Sequence, residues 1–161
     1  MATGINGQIH DEYDVKSSFL YLICKFTRWP RSPDPKKPFI ISILGRTVAG
    51  KEIKIPKDKT IDKRKILIRK IKHLQEIDGS DVLFITSSEA YRLDEILDYT
   101  GNKPVLTVGD TRGFAQQGVI INFFIYMDTV RFEINYEASK KASLQMHSQL
   151  FAIGRVVKTK N

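Results

Sequence analysis

From Asp11 onward, apolar residues recur at helical spacing. Val15, Phe19, Leu22 and Phe26 fall on one face, and Leu20 and Ile23 broaden it. Asp11 is placed to cap this helix, and Lys25 and Arg28 suit its last turn. Trp29-Pro30 ends it, because a proline biases its predecessor away from helical backbone. Residues 1–10 read as a flexible N-terminal arm, and Arg31–Pro38 reads as a proline-stiffened surface connection. The pattern then changes. Phe39–Leu44 is a continuous apolar run closed by Gly45, Ile66–Ile71 is a second strand, and Asp81–Thr86 is a third after the turn Asp78-Gly79-Ser80. Ser87-Ser88-Glu89 then caps a helix carrying Tyr91, Leu93, Ile96 and Leu97, which stops at Gly101. Pro104 opens the short strand Val105–Val108, which breaks at Gly109-Asp110.

Beyond the loop Gly109–Gly118 the period drops to two. Val130, Phe132 and Ile134 alternate with Arg131, Glu133 and Asn135, which predicts the second arm of a hairpin after the run beginning at Ile121. The even set faces a core, and the odd set faces solvent or a partner. The tail reads as a helix over Tyr136–Ala142, an alternating stretch Ser143–His147, and a second helix capped by Ser148 and running through Val157. Leu150, Ile153 and Val157 would dock that helix on the sheet. Buried strands alternating with helical segments imply a mostly parallel sheet covered on both faces. The expected architecture is a single α/β domain over residues 11–158. It would be a Rossmann-like three-layer sandwich with a C-terminal antiparallel hairpin at the sheet edge.

At 161 residues, 42% hydrophobic and 27% charged, the chain has the composition of one globular domain. No apolar run approaches the roughly 18 residues of a membrane span, and Phe19–Cys24 is too short and wrongly flanked for a signal peptide. The chain therefore reads as cytoplasmic or as a mature form whose leader has been removed. Cys24 is the only cysteine, so no intrachain disulfide forms; in an apolar helix it is most simply a small core residue. The net charge of +8 is concentrated in Lys51–Lys72, where ten basic residues face Glu52, Asp58 and Asp62. A solvated lysine face, an anionic partner protein and a nucleic acid all remain open as readings of that stretch. The absence of Phe, Tyr, Trp and His within it removes any platform for stacking bases.

Motif spacing excludes more than it assigns. Gly45–Lys51 has the glycine and lysine spacing of a phosphate loop, but Glu52 stands where Ser or Thr should hold magnesium. The alternating Ile53-Lys54-Ile55-Pro56 that follows cannot supply a helix N-terminus. Gly109, Gly113 and Gly118 lack dinucleotide-loop spacing. His10, His73 and His147 show no metal-ligand spacing, and neither a nucleophile elbow nor a pair of catalytic acids is marked out. Two sets of residues remain. Asp110, with Thr111, Arg112 and Gly113, sits at the carboxyl end of a strand, where open α/β sheets bind ligands, though an aspartate that simply forms a turn is the plainer account. Arg131, Glu133, Asn135 and Asn122 form the polar face of the hairpin, either a surface network or a docking face for another chain.

The order of landmarks along the chain resembles the YfiR-like family. The matching stretches are Phe19-Leu20-Tyr21 through Lys25–Pro30, Ile43-Leu44-Gly45, Asp81–Ile85, Pro104–Val108, Gly118 with Ile121-Asn122-Phe123, Val130–Asn135, and Ser148-Gln149-Leu150. The resemblance implies an exported α/β regulator and not an enzyme, with no cofactor. By analogy with the family's namesake, such a protein binds the periplasmic region of an inner-membrane protein, a diguanylate cyclase or a histidine kinase, and holds its cytoplasmic output off. A homodimer is implied as the form that meets a two-fold receptor, with no nucleic-acid partner and no membrane insertion. Family members often carry a cysteine just before the Val-Leu-Phe-Ile strand. Ser80 stands there in this chain, so disulfide stapling and redox control do not carry over. The alternative to a regulator is a small-ligand-binding module using the crevice at the carboxyl edge of the sheet.

Overall fold

The computed structural model describes residues 5–31 and 34–161. The first helix, α1, spans Ile5–Lys25, so Asp11 lies inside it and does not cap it. Nothing between Ile5 and His10 excludes helix, since that stretch has no proline. The buried stripe of α1 is also rotated from the expected one. Leu20, Ile23 and Cys24 are fully buried together with Lys16 and Ser17, whereas Val15 is 41% exposed. A lysine can occupy that inner face because its charge is met there, as described below.

Ten strands follow in chain order: β1 (Thr27–Arg28), β2 (Phe39–Leu44), β3 (Thr60–Ile61), β4 (Arg64–Ile71), β5 (Val82–Ile85), β6 (Leu106–Gly109), β7 (Ile121–Tyr126), β8 (Thr129–Asn135), β9 (Gln145–Met146) and β10 (Arg155–Val157). The later helices are α2 (Leu93–Thr100), α3 (Phe114–Gln117), α4 (Tyr136–Lys141) and α5 (Ser148–Ile153). Eight strands form one sheet in the order β10-β8-β7-β6-β5-β2-β4-β3, while β1 and β9 make a separate antiparallel pair. From β4 through β2, β5 and β6 to β7 every pairing is parallel. The fold is thus mixed α/β around a mostly parallel sheet, as the continuous apolar runs of β2 and β5 require, since both faces of those strands are covered.

Alternate residues of each central strand feed two cores. Phe39, Ile41, Ile43, Val82, Phe84, Leu106 and Val108 point to the side of α1, where Leu20, Ile23, Cys24 and Leu150 meet them. Leu44, Leu83 and Ile85 point to the other side, against Ile77, Leu93, Ile96 and Phe114. Truncating a buried Leu, Ile or Phe of these cores to alanine would cost about 2–5 kcal/mol.

Two differences from the expected topology lie at the C-terminus. The helix that begins at Ser148 is capped by His147, whose side chain accepts from the Gln149 amide, and it does not reach Val157: α5 stops at Ile153, Gly154 is extended, and Arg155–Val157 pairs parallel with β8. Gly154 breaks the helix, and the β-branched pair Val156-Val157 suits a strand. Ile153 is accordingly exposed, and among the three expected docking residues only Leu150 is fully buried. As a result, β7 and β8, paired antiparallel, are not an edge hairpin; β10 covers β8 and takes the edge. Among the described residues, no helix is long and apolar enough to cross a membrane.

Candidate functional site

In an open parallel sheet, the place to look is where neighbouring strands send their connections in opposite directions. Here β2 leads to β4 on one side and β5 leads to β6 on the other, so that point lies at the carboxyl ends of β2 and β5. A crevice of about 400 Å³ opens there. Its lining includes Glu12, Tyr13 and Lys16 from α1, Arg46 and Lys51 from the loop after β2, and Lys70, Thr86 and Asp110 at strand ends. Gly45 lets this corner close. Its φ is +109°, and a Cβ there would lie 2.0 Å from Thr86 Oγ1 and 2.7 Å from Ser88 Oγ.

Asp110 sits at the inner end of the crevice. One carboxylate oxygen accepts the Tyr13 hydroxyl at 2.5 Å and the Lys16 ammonium at 3.1 Å, and Lys16 also donates to Glu12 at 2.6 Å. Lys16 is buried, and its Nζ stands 4.3 Å from the centre of the Tyr13 ring. Burial, reinforced by the Asp110 carboxylate, pushes the Tyr13 phenol well above its ordinary range, so it stays a hydrogen-bond donor at neutral pH. Asp110 is therefore more than a turn residue. It joins the N-terminal helix to the end of β6 in a charged cluster along one wall of the crevice.

The rest of the expected ligand set does not join it. Thr111, Arg112 and Gly113 do not line the crevice, and Gly113, at φ +89°, precedes α3. The Thr111 carbonyl instead accepts a hydrogen bond from Asn122 Nδ2 at 2.9 Å. Thr111 Oγ1 and Asn122 Oδ1 are buried with no hydrogen-bond partner among the described residues.

The polar face of β7 and β8 is not a surface. Asn122, Glu133 and Asn135 are buried; only Arg131 is exposed. Glu133 accepts from Gln116 at 3.0 Å and from Arg155 at 2.6 Å. Asn135 donates to the Ala115 carbonyl at 2.8 Å and to Thr159 at 2.7 Å, and accepts from the amide of Ala138. These side chains hold α3, α4 and the C-terminal segment onto the sheet, which corrects the expectation that they face solvent. Arg131 lies 5.3 Å over the Tyr126 ring, beside Phe124, which is itself covered by Arg155 at 4.5 Å.

Sequence reasoning missed other charged residues that the fold uses internally. Arg64 donates to Asp81 at 3.0 Å and to the Pro38 carbonyl at 2.7 Å. Arg69 donates to Ser42 at 2.9 Å and Ser80 at 3.2 Å, and the two serines share a 2.6 Å hydrogen bond. Ser80 is thus a member of a buried polar cluster. The thiol of Cys24, inside the core, is pushed up by burial and next by the Asp81 charge. The one available signal for Lys16 was its placement four residues after Glu12, a spacing that fits a surface ion pair just as well.

Among the described residues no group of three His, Cys, Asp or Glu is placed to hold a metal ion. No curated protein matches the chain. The model of the YfiR/HmsC-like family, in contrast, matches residues 13–155, from the Tyr13 that meets Asp110 to the Arg155 that meets Glu133, and the chain belongs to that family.

Proposed function

We propose that this chain is a non-catalytic periplasmic regulator. It binds the periplasmic sensor region of an inner-membrane signalling protein, a diguanylate cyclase, and holds its cytoplasmic output off. The observation that carries this reading is the YfiR/HmsC-like family match over nearly the whole domain. Repression of this kind is a population shift: the regulator must bind the inactive receptor conformation more tightly than the active one, and a ratio of about 100 between the two affinities corresponds to about 2.7 kcal/mol. A homodimer would match a two-fold receptor. Of the hairpin residues considered for docking, Arg131 is the one with an exposed side chain, next to the exposed Tyr126 and Met127.

The test is co-isolation from membranes of the native host. The wild-type chain should retain a cyclase or kinase with a periplasmic segment, and Arg131→Glu should lose it while melting at the wild-type temperature. Recovery of no such protein under gentle solubilisation would count against the regulatory role.

A second reading rests on the crevice floored by Asp110, Tyr13 and Lys16 at the strand ends. There a small polar molecule would bind and serve as the releasing signal. A thermal-shift screen of small metabolites addresses it, since any ligand of the folded state raises the melting temperature and Asp110→Asn should abolish that rise.

A further inference from the structure

The regulatory reading leaves the basic segment unused, and β4 runs through its middle. β3 covers only the start of β4: Thr60 pairs with Lys65 and Ile61 with Arg64. Ile66–Ile71 pair with β2 on one side and, among the described residues, have no strand on the other. None of the backbone hydrogen bonds outside the regular elements reaches Ile66–Ile71 among the described residues. Alternate residues of this stretch therefore turn unpaired amide and carbonyl groups outward, along an edge longer than the three residues of β10.

Such an edge is a template for an added strand. Its side chains select which strand. Lys63, Lys65 and Lys72 are exposed and make no ion pair among the described residues, while Lys70 pairs with Glu52 at 3.0 Å. Of the acids nearby, Glu52 is engaged by Lys70 and Glu76 by the amides of Lys72 and His73, while Asp58 and Asp62 are exposed before and within the turn that leads into β4. Leu67, opposite Ile40 on β2, is 47% exposed between Lys65 and Arg69, and offers one apolar contact on the outward face. A second copy of this chain would bring the same lysines against these, so self-pairing is opposed by like charge.

We propose that the open edge of β4 over Ile66–Ile71 receives an extended, acidic segment of a partner protein as an additional strand, with a Glu or Asp side chain meeting Lys65 and, two residues further along the same face, an apolar side chain covering Leu67, while a carboxylate beyond the end of the strand meets Lys72. This surface lies at the opposite end of the sheet from Arg131 and does not depend on which receptor that residue meets. It gives the lysine-rich segment a role in selecting a hetero-partner while preventing edge-to-edge aggregation.

The probe is a short peptide of repeating Glu-Thr-Val-Thr, which sets Glu and Val in turn along one face of a strand, added to the intact chain and followed by amide hydrogen exchange. The proposal expects the outward amides within Ile66–Ile71 to slow by about tenfold or more on saturation. It also expects affinity to fall about tenfold in the exposed double variant Lys65→Glu/Lys72→Glu. Leu67→Ala should weaken binding by a smaller factor. A peptide of the same composition interrupted by proline should leave those amides unchanged, because proline cannot continue a ladder. Unchanged exchange over Ile66–Ile71, or equal binding of the proline-interrupted peptide, single-stranded RNA or vesicles containing anionic lipid, would overturn the proposal and reduce the segment to a plain charged face. If the receptor co-isolates equally with wild type and the Lys65→Glu/Lys72→Glu variant while the peptide still binds, the edge stands as a site for another partner. If neither variant nor wild type recovers a receptor, the regulatory reading falls and the peptide result still decides the edge.

Discussion

The hydroxyl of Tyr13 donates a 2.5 Å hydrogen bond to the carboxylate of Asp110, joining the N-terminal helix to the end of β6 across 97 positions of sequence. Because the same oxygen also meets buried Lys16, removing the carboxylate would leave an ammonium inside the protein with Glu12 as its remaining ion-pair partner. Asp110→Ala should therefore cost about 3 kcal/mol, and Tyr13→Phe, which deletes one hydrogen bond to a charged group, about 1.5 kcal/mol. Urea unfolding of the two variants at neutral pH measures both.

The same contact sets an alkaline limit. The folded phenol of Tyr13 ionises at a higher pH than the unfolded one, whose ordinary value is 10.0. Its contribution is complete below about pH 10 and is lost as pH rises beyond that, because the unfolded chain releases the proton first. Unfolding free energy should fall steadily in melts taken above about pH 10. In Tyr13→Phe that fall should be shallower.

Gly45 should tolerate no side chain. Its φ of +109° strains any L-residue, and the added carbon would collide with Thr86 and Ser88 at the turn after β5. Gly45→Ala is expected to lose about 3 kcal/mol, read as a lowered denaturation midpoint. Wild-type stability in that variant would mean that the corner of the crevice is looser than described.

Glu133 and Arg155 fasten the last strand. Glu133→Ala removes the acceptor shared by Arg155 and Gln116 and should cost about 2 kcal/mol. More tellingly, the loss should be local: amides of Arg155–Val157 should exchange faster and the C-terminus should become sensitive to protease, whereas β2 and β5 keep their protection. Uniform acceleration across the sheet would show that β10 is not a separate unit.

Cys24 should be silent in the native state. Its thiol is buried and its ionisation is pushed up by burial, so a thiol reagent at neutral pH should label it at the rate of global unfolding. Rapid stoichiometric labelling would contradict its place in the core.

How much of this was legible from sequence depended on whether burial was local. The runs Phe39–Leu44 and Val82–Ile85 are apolar at every or nearly every position, and that continuity alone marks strands covered on both faces. The alternation of Arg131, Glu133 and Asn135 gave the period of β8 correctly but the wrong environment. Glu133 and Asn135 are buried by α3, α4 and residues 155–159, none of which is encoded in the strand's own pattern. Lys16 was hidden for the same reason, since its partner Asp110 is remote in sequence. At the C-terminus the signals were present: Gly154 and Val156-Val157 announce a break and a strand, yet the helical spacing of Leu150, Ile153 and Val157 outweighed them. Of the candidate site residues, Asp110 was reachable because it follows an apolar strand; the Tyr13 and Lys16 that complete its environment were not.

The central claim is that this chain acts by gripping a membrane signalling protein and suppressing its output. Cyclic di-GMP in the native host, measured after deletion and after complementation with the exported wild-type chain, tests it most directly. The account predicts a rise on deletion that wild type reverses and Arg131→Glu does not. An unchanged level in the deletion strain, with the membrane cyclase present and active, would contradict it.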